Sequence, residues 1–122
     1  MACTSADDLI RVLAQVGVKR LYGLVGDSLN PVTDAMRRSG AIDWIHVRHE
    51  ETAAFAAGAQ AQLTGNLAVC AGSFGAGYLH RVNGLFDALR SMAPVQAVAA
   101  RPSDFESFIR SQVYRPEYRS LV

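Results

Sequence analysis

Leu67-Ala68-Val69-Cys70-Ala71 is an unbroken apolar run, with Gly65-Asn66 before it and Gly72-Ser73 after it. Such a strand has no polar face to turn to water, so it must be covered on both sides, as central strands of parallel sheets are. The periodicity around it alternates. Leu9, Ile10, Val12, Leu13 and Val16 repeat at helical spacing, and Arg20 to Val25 is short and rich in β-formers. Val32, Ala35 and Met36 return to helical spacing before Gly40, and Ile42, Trp44, Ile45 and Val47 read as a second strand. An alanine-rich helix from Glu50 to about Leu63 is closed by Gly65 in the left-handed position that glycine tolerates. Pro94 then leads into a fourth strand, Val95 to Ala99, at a point where no ladder donor is lost. Strands alternating with helices imply βαβ units, so the predicted class is α/β: a three-layer open parallel sheet with helices on both faces.

Local signals refine the boundaries. Ser5 is placed to cap the first helix, with Asp7 and Asp8 in its first turn. Asn30-Pro31 reads as N-cap and first helical residue. The Gly72–Gly77 loop opens a helix predicted to bury Leu79, Val82, Leu85, Phe86 and Leu89. The small residues of the Glu50 helix, Ala53 to Ala59 except Phe55, let it sit close to a sheet or to a partner helix.

At 122 residues the chain is expected to form one domain. A net charge of +1 with scattered basic residues gives no electrostatic case for a nucleic-acid partner. Cys3 and Cys70 make neither a disulfide framework nor a metal-ligand spacing, so no metal is expected. The N-terminus is acidic where a signal peptide is basic, and no run approaches the roughly 18 apolar residues that cross a bilayer. The expected location is therefore cytoplasmic, without a membrane segment.

Gly26, Glu50 and Gly75 follow three successive strands, and in a parallel sheet such ends share one edge, where ligands bind. Glu50 and Glu51 also suit a helix start, where the dipole makes each carboxylate worth about 0.3 to 1 kcal/mol. Gly75-Ala76-Gly77 permits either a tight turn or the approach of a polar ligand. It is no dinucleotide fingerprint, because it follows the third strand and His80 stands three residues beyond Gly77.

Three stretches, Gly17-Val18-Lys19-Arg20-Leu21-Tyr22-Gly23-Leu24-Val25-Gly26-Asp27-Ser28, Trp44-Ile45-His46-Val47-Arg48-His49-Glu50-Glu51 and Gly84-Leu85-Phe86-Asp87, carry a family resemblance. In that order they resemble the N-terminal pyrimidine-binding (PYR) domain of thiamine-diphosphate enzymes, most closely the pyruvate oxidase and quinone-dependent pyruvate dehydrogenase group. The resemblance covers about residues 9–100. It implies that Glu50 is catalytic: its carboxyl group hydrogen-bonds the cofactor pyrimidine at N1′ and favours the imino tautomer that takes the thiazolium C2 proton. It also implies that Val25 and Gly26 approach the aminopyrimidine, and that Ser73, Gly75, Gly77 and His80 line the same cleft. His80 falls where many relatives place asparagine. Gly75-Ala76-Gly77 replaces their Gly-Pro-Gly, and Tyr78 stands for a small polar residue.

Relatives of this kind are several times longer, with a central domain that binds FAD in the oxidases and a C-terminal domain that holds the diphosphate through Mg²⁺ by a Gly-Asp-Gly motif. No Gly-Asp-Gly occurs here. The resemblance therefore implies an incomplete PYR domain over residues 1–100 that binds the pyrimidine half of thiamine diphosphate, with Mg²⁺ and FAD left to other domains. Residues 101–122 form a divergent tail in which Ser103-Asp104-Phe105-Glu106 has the form of a capping box for a short helix. Two functions are expected. One is action on a 2-oxo acid when paired with a separate diphosphate-domain chain or assembled as a homo-oligomer. The other is a non-catalytic, truncated interaction protein.

Overall fold

In a computed structural model, which describes residues 3–100, four parallel strands form one sheet in the order β2-β1-β3-β4. The elements run α1 (Ser5–Gln15), β1 (Arg20–Gly23), a 3-10 turn (Asp27–Leu29), α2 (Asn30–Ser39), β2 (Asp43–His46), α3 (Glu50–Thr64), β3 (Ala68–Ser73), α4 (Ala76–His80), α5 (Val82–Arg90) and β4 (Val95–Ala100). The predicted α/β sheet with helices on both faces is present. The possible helix in the tail lies outside the described residues.

The apolar run of β3 shows why the sheet needs two covering layers. Val69 and Ala71 pack with Ile10, Leu13, Val32, Ala35 and Met36 of α1 and α2. Ala68 and Cys70 point the other way, into a cluster with Ala53, Ala54, Ala57 and Ala61 of α3. Side chains that alternate across a strand thus meet one helix pair on each face. Leu21 and Val69 are 0% exposed, and each such burial is worth roughly 2 kcal/mol.

Several boundaries differ from expectation for local reasons. Thr4, not Ser5, caps α1: its hydroxyl accepts the Asp7 N–H at 3.2 Å, and the Asp7 carboxylate accepts the Thr4 N–H at 2.9 Å. The Thr4 N–H and the Thr4 hydroxyl, which also donates to that carboxylate at 2.8 Å, hold the Asp7 carboxyl below the usual range, helped by Arg38 of α2 at 2.6 Å. Asn30 is not an N-cap. The 3-10 turn runs directly into α2, so Leu29 takes the cap position without a side-chain bond, and Pro31 sits in the first turn. Gly40 and Gly65 end α2 and α3 with φ of 60° and 69°, as the sequence suggests.

The helix after the glycine loop departs most. It breaks at Arg81 into α4 and α5, and most of the side chains expected to be buried face outward: Leu79, Val82, Phe86 and Leu89 are exposed, while Leu85 is partly buried. Its inner face is made of small residues. A Cβ on Gly84 would stand 2.6 Å from the Ala54 Cβ and 2.8 Å from the Phe55 backbone N, so α5 touches the α3 backbone. Gly58 likewise faces the Ala88 methyl, at 3.7 Å from where its own Cβ would be. Small residues on both helices permit this approach, and the large apolar side chains of α5 are left on the outside.

Candidate functional site

Strand order decides where the site lies. From β1 the chain moves outward to β2, then crosses to β3 on the other side of β1, so β1 and β3 are neighbours whose following segments leave in opposite directions. The crevice beyond the carboxyl ends of such strands is where open α/β sheets receive ligands. Gly26 after β1 and Ser73 at the end of β3 meet there: the Ser73 hydroxyl fills the place of a Gly26 side chain, with the Ser73 Cβ 2.7 Å from that position. Ser73 Oγ lies 2.8 Å from Ser28 Oγ, and Ser28 Oγ accepts the Phe74 N–H at 3.4 Å. These bonds fasten the two loops across the crevice.

Glu50 comes to the same edge from β2. Val47 N–H donates to the Gly23 carbonyl at 3.0 Å just past the last residue of β2, and His49 then caps α3 by accepting the Glu51 N–H on its Nδ1 at 3.2 Å. Glu50 is thereby the first helical residue, with its side chain 12% exposed. Its carboxylate occupies the space where a Gly77 side chain would be, with Cδ 2.7 Å from that position. Gly77 is thus required by the carboxylate, and this filling closes one route to the ligand seat considered for Gly75-Ala76-Gly77. Gly75 has φ of 114°, a turn conformation that glycine adopts without strain.

No hydrogen bond from a described residue reaches the Glu50 carboxylate. His80 Nδ1 stands 3.9 Å from it. His80, half exposed, stacks on His49 with ring centroids 4.7 Å apart. Donor atoms of His49, Glu50 and His80 lie within 4.8 Å of one another, yet the His49 Nδ1 lone pair is committed to the α3 cap. Glu51 accepts from Asn83 at 3.4 Å and ties the start of α3 to α5. Val25 is exposed at the mouth of the crevice. Glu50, Gly77 and His80 therefore converge, Gly26 and Ser73 form the neighbouring wall, Val25 is exposed, and a side chain on Gly75 would begin in open space.

Arg81 is the residue that sequence reasoning missed. It is 0% exposed, donates from Nη1 to the Val98 carbonyl at 2.8 Å and lies 4.9 Å from the centroid of the Tyr78 ring. Burial pushes the Cys70 thiol up, and the nearby Arg81 guanidinium offsets part of that effect. Nothing local announces this: Arg81 shares the spacing of one helix face with Gly84, Leu85 and Ala88, and only the fold turns that face inward.

The fold defines a class first, an α/β domain with a candidate ligand crevice and a mostly buried carboxylate at its strand ends. The family described as thiamine pyrophosphate enzyme, N-terminal TPP binding domain, matches residues 3–107, and the chain belongs to it. Thiamine pyrophosphate is thiamine diphosphate by its other name. An uncharacterized 42.6 kDa protein of Pseudomonas amyloderamosa is 65% identical over 101 residues, covering 82% of this chain and 26% of that protein. Pyruvate oxidase of Lactiplantibacillus plantarum is 47% identical over 91 residues, 74% of this chain and 15% of the oxidase. Acetolactate synthase of Mycobacterium avium is 36% identical over 98 residues, 80% of this chain and 16% of the synthase. The chain thus spans between 15% and 26% of the length of these three relatives. No helix among the described residues is long and apolar enough to cross a membrane.

Proposed function

We propose that this chain supplies the pyrimidine side of a thiamine-diphosphate site acting on a 2-oxo acid of the pyruvate class, with the diphosphate, its Mg²⁺ and any flavin held by another segment or chain. The observation that carries this is the Glu50 carboxylate: mostly buried at the strand-end crevice, and accepting no hydrogen bond from the described residues. A carboxylate in that state suits a ring N–H or a shared proton, which is what an aminopyrimidine offers. The cofactor supplies a carbon nucleophile for the 2-oxo carbonyl once its pyrimidine amine can take a proton. Glu50 holds the proton at the ring nitrogen, the bare Gly77 leaves room for that carboxylate, and the wall of Gly26 and Ser73 orients the ring. Burial of the Glu50 side chain keeps water from competing for the proton.

The relatives include both a pyruvate oxidase and acetolactate synthases. Resemblance in the first stretches favours the oxidase group, and both chemistries begin from pyruvate, so the same assay separates them. With thiamine diphosphate, Mg²⁺, FAD, an added electron acceptor, a chain carrying the diphosphate and flavin domains, and pyruvate, we expect decarboxylation coupled to two-electron reduction of that acceptor. Acetolactate as product would move the assignment to the synthase group. Glu50→Gln should lower the rate by about 10²- to 10⁴-fold, the usual worth of a positioned proton-transfer group. Unchanged turnover in that variant would remove Glu50 from the role.

The outer face of α5 supports the need for a second polypeptide surface. Val82, Phe86 and Leu89 are 53%, 61% and 67% exposed, at the spacing of one helix stripe.

A further inference from the structure

Arg81 is enclosed and satisfied on one nitrogen only. Nη1 donates to the Val98 carbonyl, while Nε and Nη2 have no hydrogen-bond partner among the described residues. Those two nitrogens form the edge of a guanidinium that presents two parallel N–H bonds to a carboxylate. A buried cation left without a carboxylate is costly; beside it stand the Tyr78 ring and the Cys70 thiol, which burial pushes up and the Arg81 guanidinium pulls part of the way back. One acidic side chain flanks the same place. The point where a Gly72 side chain would begin lies 3.1 Å from Arg81 Nε, 3.2 Å from Arg81 Cζ and 3.3 Å from Glu50 Cγ. A guanidinium edge and a carboxylate, neither with a hydrogen-bond partner among the described residues, thus stand on two sides of Gly72, which has no side chain to separate them.

We propose that the Nε/Nη2 edge of Arg81 is a second seat for the Glu50 carboxylate. Rotation about the outer bonds of the Glu50 side chain carries the carboxylate from its place against Gly77 and His80, past Gly72, onto Arg81. In the first seat Glu50 faces the crevice. In the second it pairs with the guanidinium and is turned away from the crevice. Arg81 is then a positioning residue that sets how much of the chain has Glu50 available. The functional consequence rests on the thiamine reading above, whereas the swing itself requires no cofactor.

The test uses the full chain and nitrogen-15 NMR of arginine side chains. A downfield, slowly exchanging Nε–H signal that vanishes in Arg81→Met identifies the fork. We expect Glu50→Gln and Glu50→Ala each to abolish its protection from exchange, and Cys70→Ala to leave it unchanged. An Arg81 Nε–H indifferent to both Glu50 variants, or lost in Cys70→Ala, overturns the second seat. In titrations with thiamine diphosphate and Mg²⁺ in the presence of a diphosphate-domain chain, Arg81→Met should bind about tenfold more tightly, since it removes the competing state. If no variant binds thiamine diphosphate while the NMR dependence holds, the cofactor reading fails and the seat stands. Equal affinity in Arg81→Met and the parent would show that the seat does not regulate the site.

Discussion

At the residue scale the chain is most revealing where a side chain is absent. Gly77 and Gly72 flank Glu50, and a Cβ on Gly77 would fall on the Glu50 carboxylate. The obstructing atoms are the far end of a flexible side chain, and Gly77 is not among the positive-φ glycines, so Gly77→Ala needs little from the fold. We expect its urea midpoint to correspond to a change within about 0.5 kcal/mol of the parent. The Glu50 carboxylate then has to move, and the adjacent unpartnered group is the Nε/Nη2 edge of Arg81. The Arg81 Nε–H signal should therefore become better protected in Gly77→Ala while cofactor-dependent activity falls. A fall in stability of several kcal/mol with no change in that signal would contradict this account. Glu50 itself was legible from the junction of a strand pattern with a helix start. Arg81 was not, because an arginine in a helix normally lies on its solvated face, and its inward turn depends on a helix break that no local signal announces.

At the scale of elements, α3 and α5 pack through residues chosen for smallness. Ala54, Gly58, Gly84 and Ala88 let the two backbones approach, and the Gly84 position is bounded by main-chain atoms of α3 that cannot rotate away. Gly84→Ala should therefore cost about 1 to 3 kcal/mol by overpacking, read as a drop in the urea midpoint with an unchanged denaturant slope. An unchanged midpoint would mean that the helices are not in this contact. The alanine-rich composition of α3 already pointed to close packing. The outward face of α5 was misjudged, because periodicity finds a stripe of large apolar residues but cannot say whether another element of the same chain covers it. Here the contact face is the opposite, small-residue side. Cap geometry shows the same limit: Thr4 and Ser5 both begin workable capping sequences, and Thr4 prevails through its two reciprocal bonds with Asp7.

For the whole molecule, the exposed stripe of Val82, Phe86 and Leu89 is the feature most in need of a partner. Light scattering at micromolar concentration should show association that Phe86→Glu reverses to a monomer, since a charge in an apolar interface must be desolvated. A monomeric parent that also fails to bind a diphosphate-domain chain would remove this surface from the functional account. The sequence by itself determined the layered α/β architecture: β3 reads as continuously apolar, which only a sheet covered on both faces can accommodate, and the glycines at 40 and 65 end helices where only a left-handed residue fits. It also determined that Gly26, Glu50 and Gly75 share an edge, since parallel strands bring their carboxyl ends together. Tertiary structure decided the strand order β2-β1-β3-β4, and with it the crevice between Gly26 and Ser73. It likewise decided that Arg81 turns inward beside Glu50, because contacts between residues distant in the chain depend on how closely two helices can pack, and no local pattern encodes that distance.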